Sequence, residues 1–155
     1  MRELRHILLA SHGTPGAQAA ERAAVGICVP GGRIYHLVVV PDLWKGMMAT
    51  DWRNQSGARN AFARHLESEL EKEILEHRER VHRAAEAGGL EHDFGLAQGD
   101  PARLLLECAR TQRFDLVILG ARRPRGVLGL RSRMLTATVM RELEVPLMIV
   151  PAGHE

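Results

Sequence analysis

Residues 116–150, LVILGARRPRGVLGLRSRMLTATVMRELEVPLMIV, gather the groups best suited to chemistry in this chain. Five arginines, Arg122, Arg123, Arg125, Arg131 and Arg133, lie in or just beyond a glycine-containing loop between two apolar runs. Arginine presents a planar fork of donors that fits phosphate and carboxylate oxygens. A loop that leaves the carboxyl end of a strand and enters a helix N-terminus already favours an anion. These residues therefore point to recognition of a small anion.

Bond-breaking chemistry finds less support. Ser11 and His12 are neighbours, but adjacent strand residues point to opposite faces, and no Asp is placed to orient the imidazole. There is no G-x-S-x-G elbow and no conspicuous pair of carboxylates, so no catalytic residue is assigned. His65, His77 and His82 miss the i, i+4 spacing of a helical metal site and read as part of a solvated, charged helix face. Cys28 and Cys108, the only two cysteines, sit in apolar helical contexts and read as small buried residues; no metal is expected.

The elements that would position the arginine loop follow from periodicity. His6–Ser11 is a short apolar strand, and Thr14 and Pro15 then supply an N-cap and first helical position. Ala17, Ala20, Ala24 and Ile27 give that helix a small-residue face, and Pro30-Gly31-Gly32 stops it. Ile34–Val40, apolar on both faces, belongs in the middle of a covered sheet. Residues 42–57, with Trp44, Met47, Met48 and Trp52, show no period and read as a loop.

A long helix is expected from about Ser56 to Ala87, with Phe62, Leu66, Leu70, Ile74 and Val81 as its apolar stripe and Gly88-Gly89 as its end. Leu90 to Gln98 alternates, with Leu90, His92, Phe94 and Leu96 on one side, as an outer strand does. Asp100 and Pro101 open the next helix, whose apolar face carries Leu104, Leu105 and Cys108. Phe114–Gly120 is a further central strand, a helix runs from about Ser132 to Leu143, and Pro146–Pro151 contains the last strand. Strands alternating with helices imply an α/β three-layer sandwich: a parallel sheet with helices on both faces, as one domain over residues 1–155.

Composition narrows the class. With 45% hydrophobic and 26% charged residues, the chain reads as an ordinary globular protein. No apolar run reaches the roughly 18–20 residues that span a bilayer, and no signal-peptide pattern opens the chain, so a cytoplasmic location is expected. The net charge of +2 is too small to imply nucleic-acid binding, and the basic cluster lacks interleaved aromatic residues for base stacking.

Four segments together resemble the universal stress protein family over essentially the whole chain. They are Ile7-Leu-Leu-Ala-Ser-His-Gly-Thr-Pro15, Gly99-Asp-Pro-Ala102, Phe114-Asp-Leu-Val-Ile-Leu-Gly120 and Val145-Pro-Leu-Met-Ile-Val-Pro151. The resemblance implies a Rossmann-like, adenine-nucleotide-hydrolase-like fold with a five-stranded parallel sheet in the order 3-2-1-4-5. It also implies a homodimer joined through the last strand, here Pro146 to Val150.

Many members of that family bind ATP in a loop of the form Gly-x2-Gly-x9-Gly-Ser/Thr, whose backbone N–H groups cradle phosphates. An Asp ending the first strand, and main chain at the end of the second, hold the adenosine. In this chain Gly120 fits the first glycine, Arg123 stands at the second, Arg133 at the third and Met134 at the hydroxyl position. Gly126 fits a further glycine of the loop, His12 replaces the Asp, and Val40 ends the second strand. Side chains at 123 and 133 obstruct the close approach of backbone to phosphate, and Met134 has no hydroxyl to donate.

ATP bound in the usual family manner is therefore not expected, and no cofactor is assigned with certainty. The leading expectation is a non-enzymatic, stress-responsive dimer that acts by binding a ligand or a partner protein. The alternative is a nucleotide-binding protein, for ATP or AMP and with slow ATPase activity at most, in which Arg122, Arg123 and Arg133 take the phosphates.

Overall fold

The computed structural model describes residues 3–11, 15–40, 72, 74–120 and 137–151. Along them run β1 (His6–Ser11), α1 (Pro15–Ile27), β2 (Arg33–Val40) and α2 (74–87). Next come β3 (Glu91–Gln98), α3 (Pro101–Thr111), β4 (Leu116–Gly120), α4 (Ala137–Glu142) and β5 (Leu147–Val150). Every strand pair is parallel, and the sheet order is β3-β2-β1-β4-β5, the order that the family resemblance implies.

The central strands are apolar because both of their faces are covered. Ile7, Leu8 and Leu9 of β1 are each 0% exposed, so no polar face is available to them. Ile7 and Leu9 pack with Ala20 and Ala24 of α1 and Val81 and Ala85 of α2. Leu8 and Ala10 pack on the other side with Leu105 and Leu106 of α3 and Val139 of α4. The sheet thus carries α1 and α2 on one face and α3 and α4 on the other.

Local chemistry fixes the ends of these elements. Asp100 caps α3, its carboxylate accepting from the Arg103 N–H at 3.2 Å, and Pro101 occupies the first turn. Gly89, at φ 71, turns the chain out of α2, while the Leu90 N–H donates back to the Ala85 carbonyl at 2.8 Å. The start of β1 is held by Asp115, whose Oδ2 accepts from the N–H groups of Arg5 and His6, each at 3.0 Å.

Two expectations change. The buried face of α3 is Ala102, Leu105, Leu106 and Ala109; Leu104 and Cys108 are only half-buried at its margin. On α2, the buried stripe is Ile74, His77, Val81 and Ala85, so His77 lies inside the protein and not on a solvated face. Its charge neighbours, not its hydropathy, explain that burial. Thr14, the loop 42–57, the helical residues Phe62, Leu66 and Leu70, and the helix start at Ser132 lie outside the described residues.

Burial pushes the thiols of Cys28 and Cys108 upward, keeping them protonated. Among the described residues no helix is long and apolar enough to cross a membrane.

Candidate functional site

The winding of the chain sets a topological switch point at the carboxyl end of the sheet. β1 and β4 are neighbours, with Ala10 beside Leu119. After β1 the chain passes to α1 on one face; after β4 it passes to α4 on the other. Connections that diverge in this way leave room between them at the carboxyl ends of the strands, the place where open α/β sheets take ligands.

Two of the candidate residues reach this end together. Val40 ends β2, two positions beyond Val38, which pairs with Ser11; Gly120 ends β4, paired with Val150 of β5. Strand-end main chain there offers N–H and C=O groups to a ligand. His12, Arg122, Arg123, Gly126 and Arg133, with Arg125, Arg131 and Met134, lie outside the described residues.

A second cluster lies between α2 and the β2/β3 edge. His36, on β2, is 0% exposed. Its ring centroid is 5.9 Å from that of His92 and 5.5 Å from that of Phe94, both on β3. His92 in turn meets His82 of α2, with centroids 5.4 Å apart and their Nδ1 atoms at 3.3 Å. Nε2 of His92 is buried and has no hydrogen-bond partner. The tautomer that avoids a stranded N–H places the proton on Nδ1 of His92, donating to His82. The Arg78 guanidinium caps the Phe94 ring at 5.1 Å.

These surroundings disfavour protonation of the inner rings. Burial, then the facing His92, His77 and Arg80, bring the His36 pKa down to about 3. Burial, then His82 and Arg78, lower that of His92, against a weaker opposing pull from Asp93. Outside them opens a groove of about 450 Å³, lined by Leu75, Arg78, Glu79, His82, His92 and Phe94. Among the described residues no set of three or more His, Cys, Asp or Glu side chains is placed to hold a metal ion.

Periodicity missed this cluster because it weighs each histidine by its own stretch. The legible signal was His36 in the middle of the apolar run Ile34–Val40, opposite an alternating strand carrying His92 and Phe94.

The model of the universal stress protein family matches residues 3–151. No curated protein sequence matches the chain. Among solved structures, the hypothetical protein MJ0577 aligns with a TM-score of 0.72 at 15% identity, covering 99% of this chain and 100% of its own. A universal stress protein family protein from Arabidopsis thaliana, solved with AMP bound, aligns with a TM-score of 0.62 at 14% identity, covering 96% and 92%. A universal stress protein in complex with cAMP aligns with a TM-score of 0.55 at 14% identity, covering 98% and 100%. At these identities the structural likeness carries the fold alone.

Proposed function

The chain belongs to the universal stress protein family, and from that premise we propose that it is a non-enzymatic, stress-responsive binding protein that does not hold ATP in the manner usual for the family. The observation that carries this reading is a contrast within one site. The carboxyl ends of β1, β2 and β4, where sheets of this kind take ligands, bring Val40 and Gly120 to one end of the sheet. The sequence that should clothe it with a triphosphate cradle has Arg123, Arg133 and Met134 at the positions of two glycines and a hydroxyl, and His12 in place of an Asp. The protein works in the cytoplasm as a homodimer joined through β5. That strand is an edge of the sheet, and Ile149 on it is 41% exposed.

A second reading is favoured by two of the structural neighbours. One was solved with AMP and the other with cAMP, and both ligands carry a single phosphate. A site that has lost backbone cradling for a triphosphate still suits one phosphate gripped by Arg122, Arg123 and Arg133. Thermal-shift titrations with ATP, AMP and cAMP separate the readings. Little stabilisation by ATP is expected in the first case. Stabilisation by AMP or cAMP that weakens in Arg123→Ala and Arg133→Ala selects the second, and none by any nucleotide selects the first. Strong ATP stabilisation abolished by Gly120→Val and unchanged in Arg123→Ala and Arg133→Ala overturns both.

A further inference from the structure

We propose that the imidazole file His36–His92–His82, which runs from buried His36 on β2 to exposed His82 on α2, is a proton-operated latch: neutral, it holds α2 against β3, and on gaining protons it releases α2 and widens the groove between them. It lies at the β3 edge, apart from the carboxyl ends of β1 and β4, and does not depend on what binds there.

Geometry supplies the sensitivity. Three rings stand in line at centroid spacings of 5.9 and 5.4 Å, so a proton on one faces the next at close range. The groups packed around them add positive charge. From α2, His36 faces His77 and Arg80, and His92 faces Arg78 and His82; from β3, Phe94 contributes only its ring. The nearby carboxylates are largely engaged elsewhere. Glu21 of α1 is forked by Arg80, Glu79 lies 3.3 Å from Arg83, and Asp93 pairs with Arg33 at 3.4 Å. A charge entering the file thus meets repulsion and desolvation together.

The same region lies at an edge of the sheet. Among the described residues, the two large apolar clusters draw on both faces of β1 and β4, and Val38, Ile74 and Phe94 cluster beside the latch. β3 is an edge strand with a single neighbour. A segment at a sheet edge can open below the global unfolding threshold.

The sign follows from the folded-state shifts. An imidazole freed into water titrates near 6.5, whereas His36 in the closed form titrates at about 3. The closed form is therefore favoured at neutral pH and loses ground as pH falls below 6.5. Linkage through His36 alone raises the open population about 30-fold between pH 7.5 and 5.0. His92 adds to this in the same direction.

Hydrogen–deuterium exchange of the full-length protein at pH 7.5 and 5.0, corrected for intrinsic rates, tests the latch. Protection across 74–82 and 91–98 should fall about 30-fold or more, while 101–111 and 116–120 keep theirs. His36→Phe, which retains a ring against Phe94, should remove about 30-fold of that response. Should the variant fail to fold, imidazole NMR of the unmodified protein decides: His36 and His92 should resist protonation until the 74–82 segment begins to exchange. Uniform loss of protection over the whole chain, no change down to pH 5.0, or rings that titrate near 6.5 without local opening would each overturn the proposal.

Discussion

Glu21 of α1 and Arg80 of α2 are joined by a two-bond fork, Nε to Oε2 at 2.8 Å and Nη2 to Oε1 at 3.1 Å. His77 Nδ1 adds a third contact, 3.0 Å from Oε1. The fork is unequal in its surroundings. The Glu21 side chain is 5% exposed, whereas that of Arg80 is 42% exposed and can reach water unaided. Deleting the cation leaves the buried carboxylate with His77 in place of an arginine fork; deleting the carboxylate frees an arginine that rehydrates. Arg80→Ala should therefore cost about 2–3 kcal/mol and Glu21→Gln about 1 kcal/mol. Urea midpoints of the two variants check this, and equal costs would contradict it.

Gly32 offers a steric test. A Cβ there would stand 2.6 Å from the Arg5 carbonyl oxygen, 2.9 Å from that of Val29 and 2.7 Å from Cys28 Sγ. Two of these neighbours are backbone and cannot rotate away. Gly32→Ala should destabilise by about 2–3 kcal/mol. At Gly26, on α1, a Cβ would meet nothing within 4 Å, and the position is helical, so Gly26→Ala should stabilise by about 0.5 kcal/mol. Thermal or urea unfolding of the two variants reads the signs. A shared sign would mean that space around the new methyl is not what decides the outcome.

The cap of α3 can be measured alone. Asp100 is exposed and its carboxylate meets the Arg103 N–H, so Asp100→Ala should cost about 1 kcal/mol by chemical denaturation and Asp100→Ser much less. Equal losses in the two variants would show that the hydrogen bond is not what the residue supplies.

These cases also show what a reading of the chain alone can reach. The elements themselves follow from signals that are local: apolar runs such as Ile34–Val40, the Asp100–Pro101 start, the Gly89 exit; the strand order follows from the family resemblance. The buried polar groups were not legible in that way. His77 occupies an apolar stripe only because Glu21, 56 positions earlier in the chain, waits opposite it with Arg80. His36 and His92 are likewise brought together by the β2–β3 register, which no single stretch encodes. Periodicity registers how a helix or strand divides its own residues between two sides; it carries no information about which ionised partner a distant element will present.

The last prediction concerns acid. His36 is buried and titrates at about 3 when folded, against 6.5 for the free imidazole. Its folded pKa is depressed, so between those values the unfolded chain binds the extra proton and stability rises with pH. The slope from this one residue is about 1.4 kcal/mol per pH unit near pH 4–5, fading above 6.5, where neither state is protonated. Carboxylates titrate in the same window, so the informative quantity is a difference. Urea unfolding of the unmodified protein and of His36→Phe, at pH 7.5, 6.0 and 5.0, should give curves that converge as pH falls. The variant loses the penalty that the buried imidazole imposes on the native state in acid, and it should gain about 1–2 kcal/mol on the parent between pH 7.5 and 5.0. Parallel curves over that range would mean that His36 is protonated as readily inside the protein as outside it, and would place its ring in water.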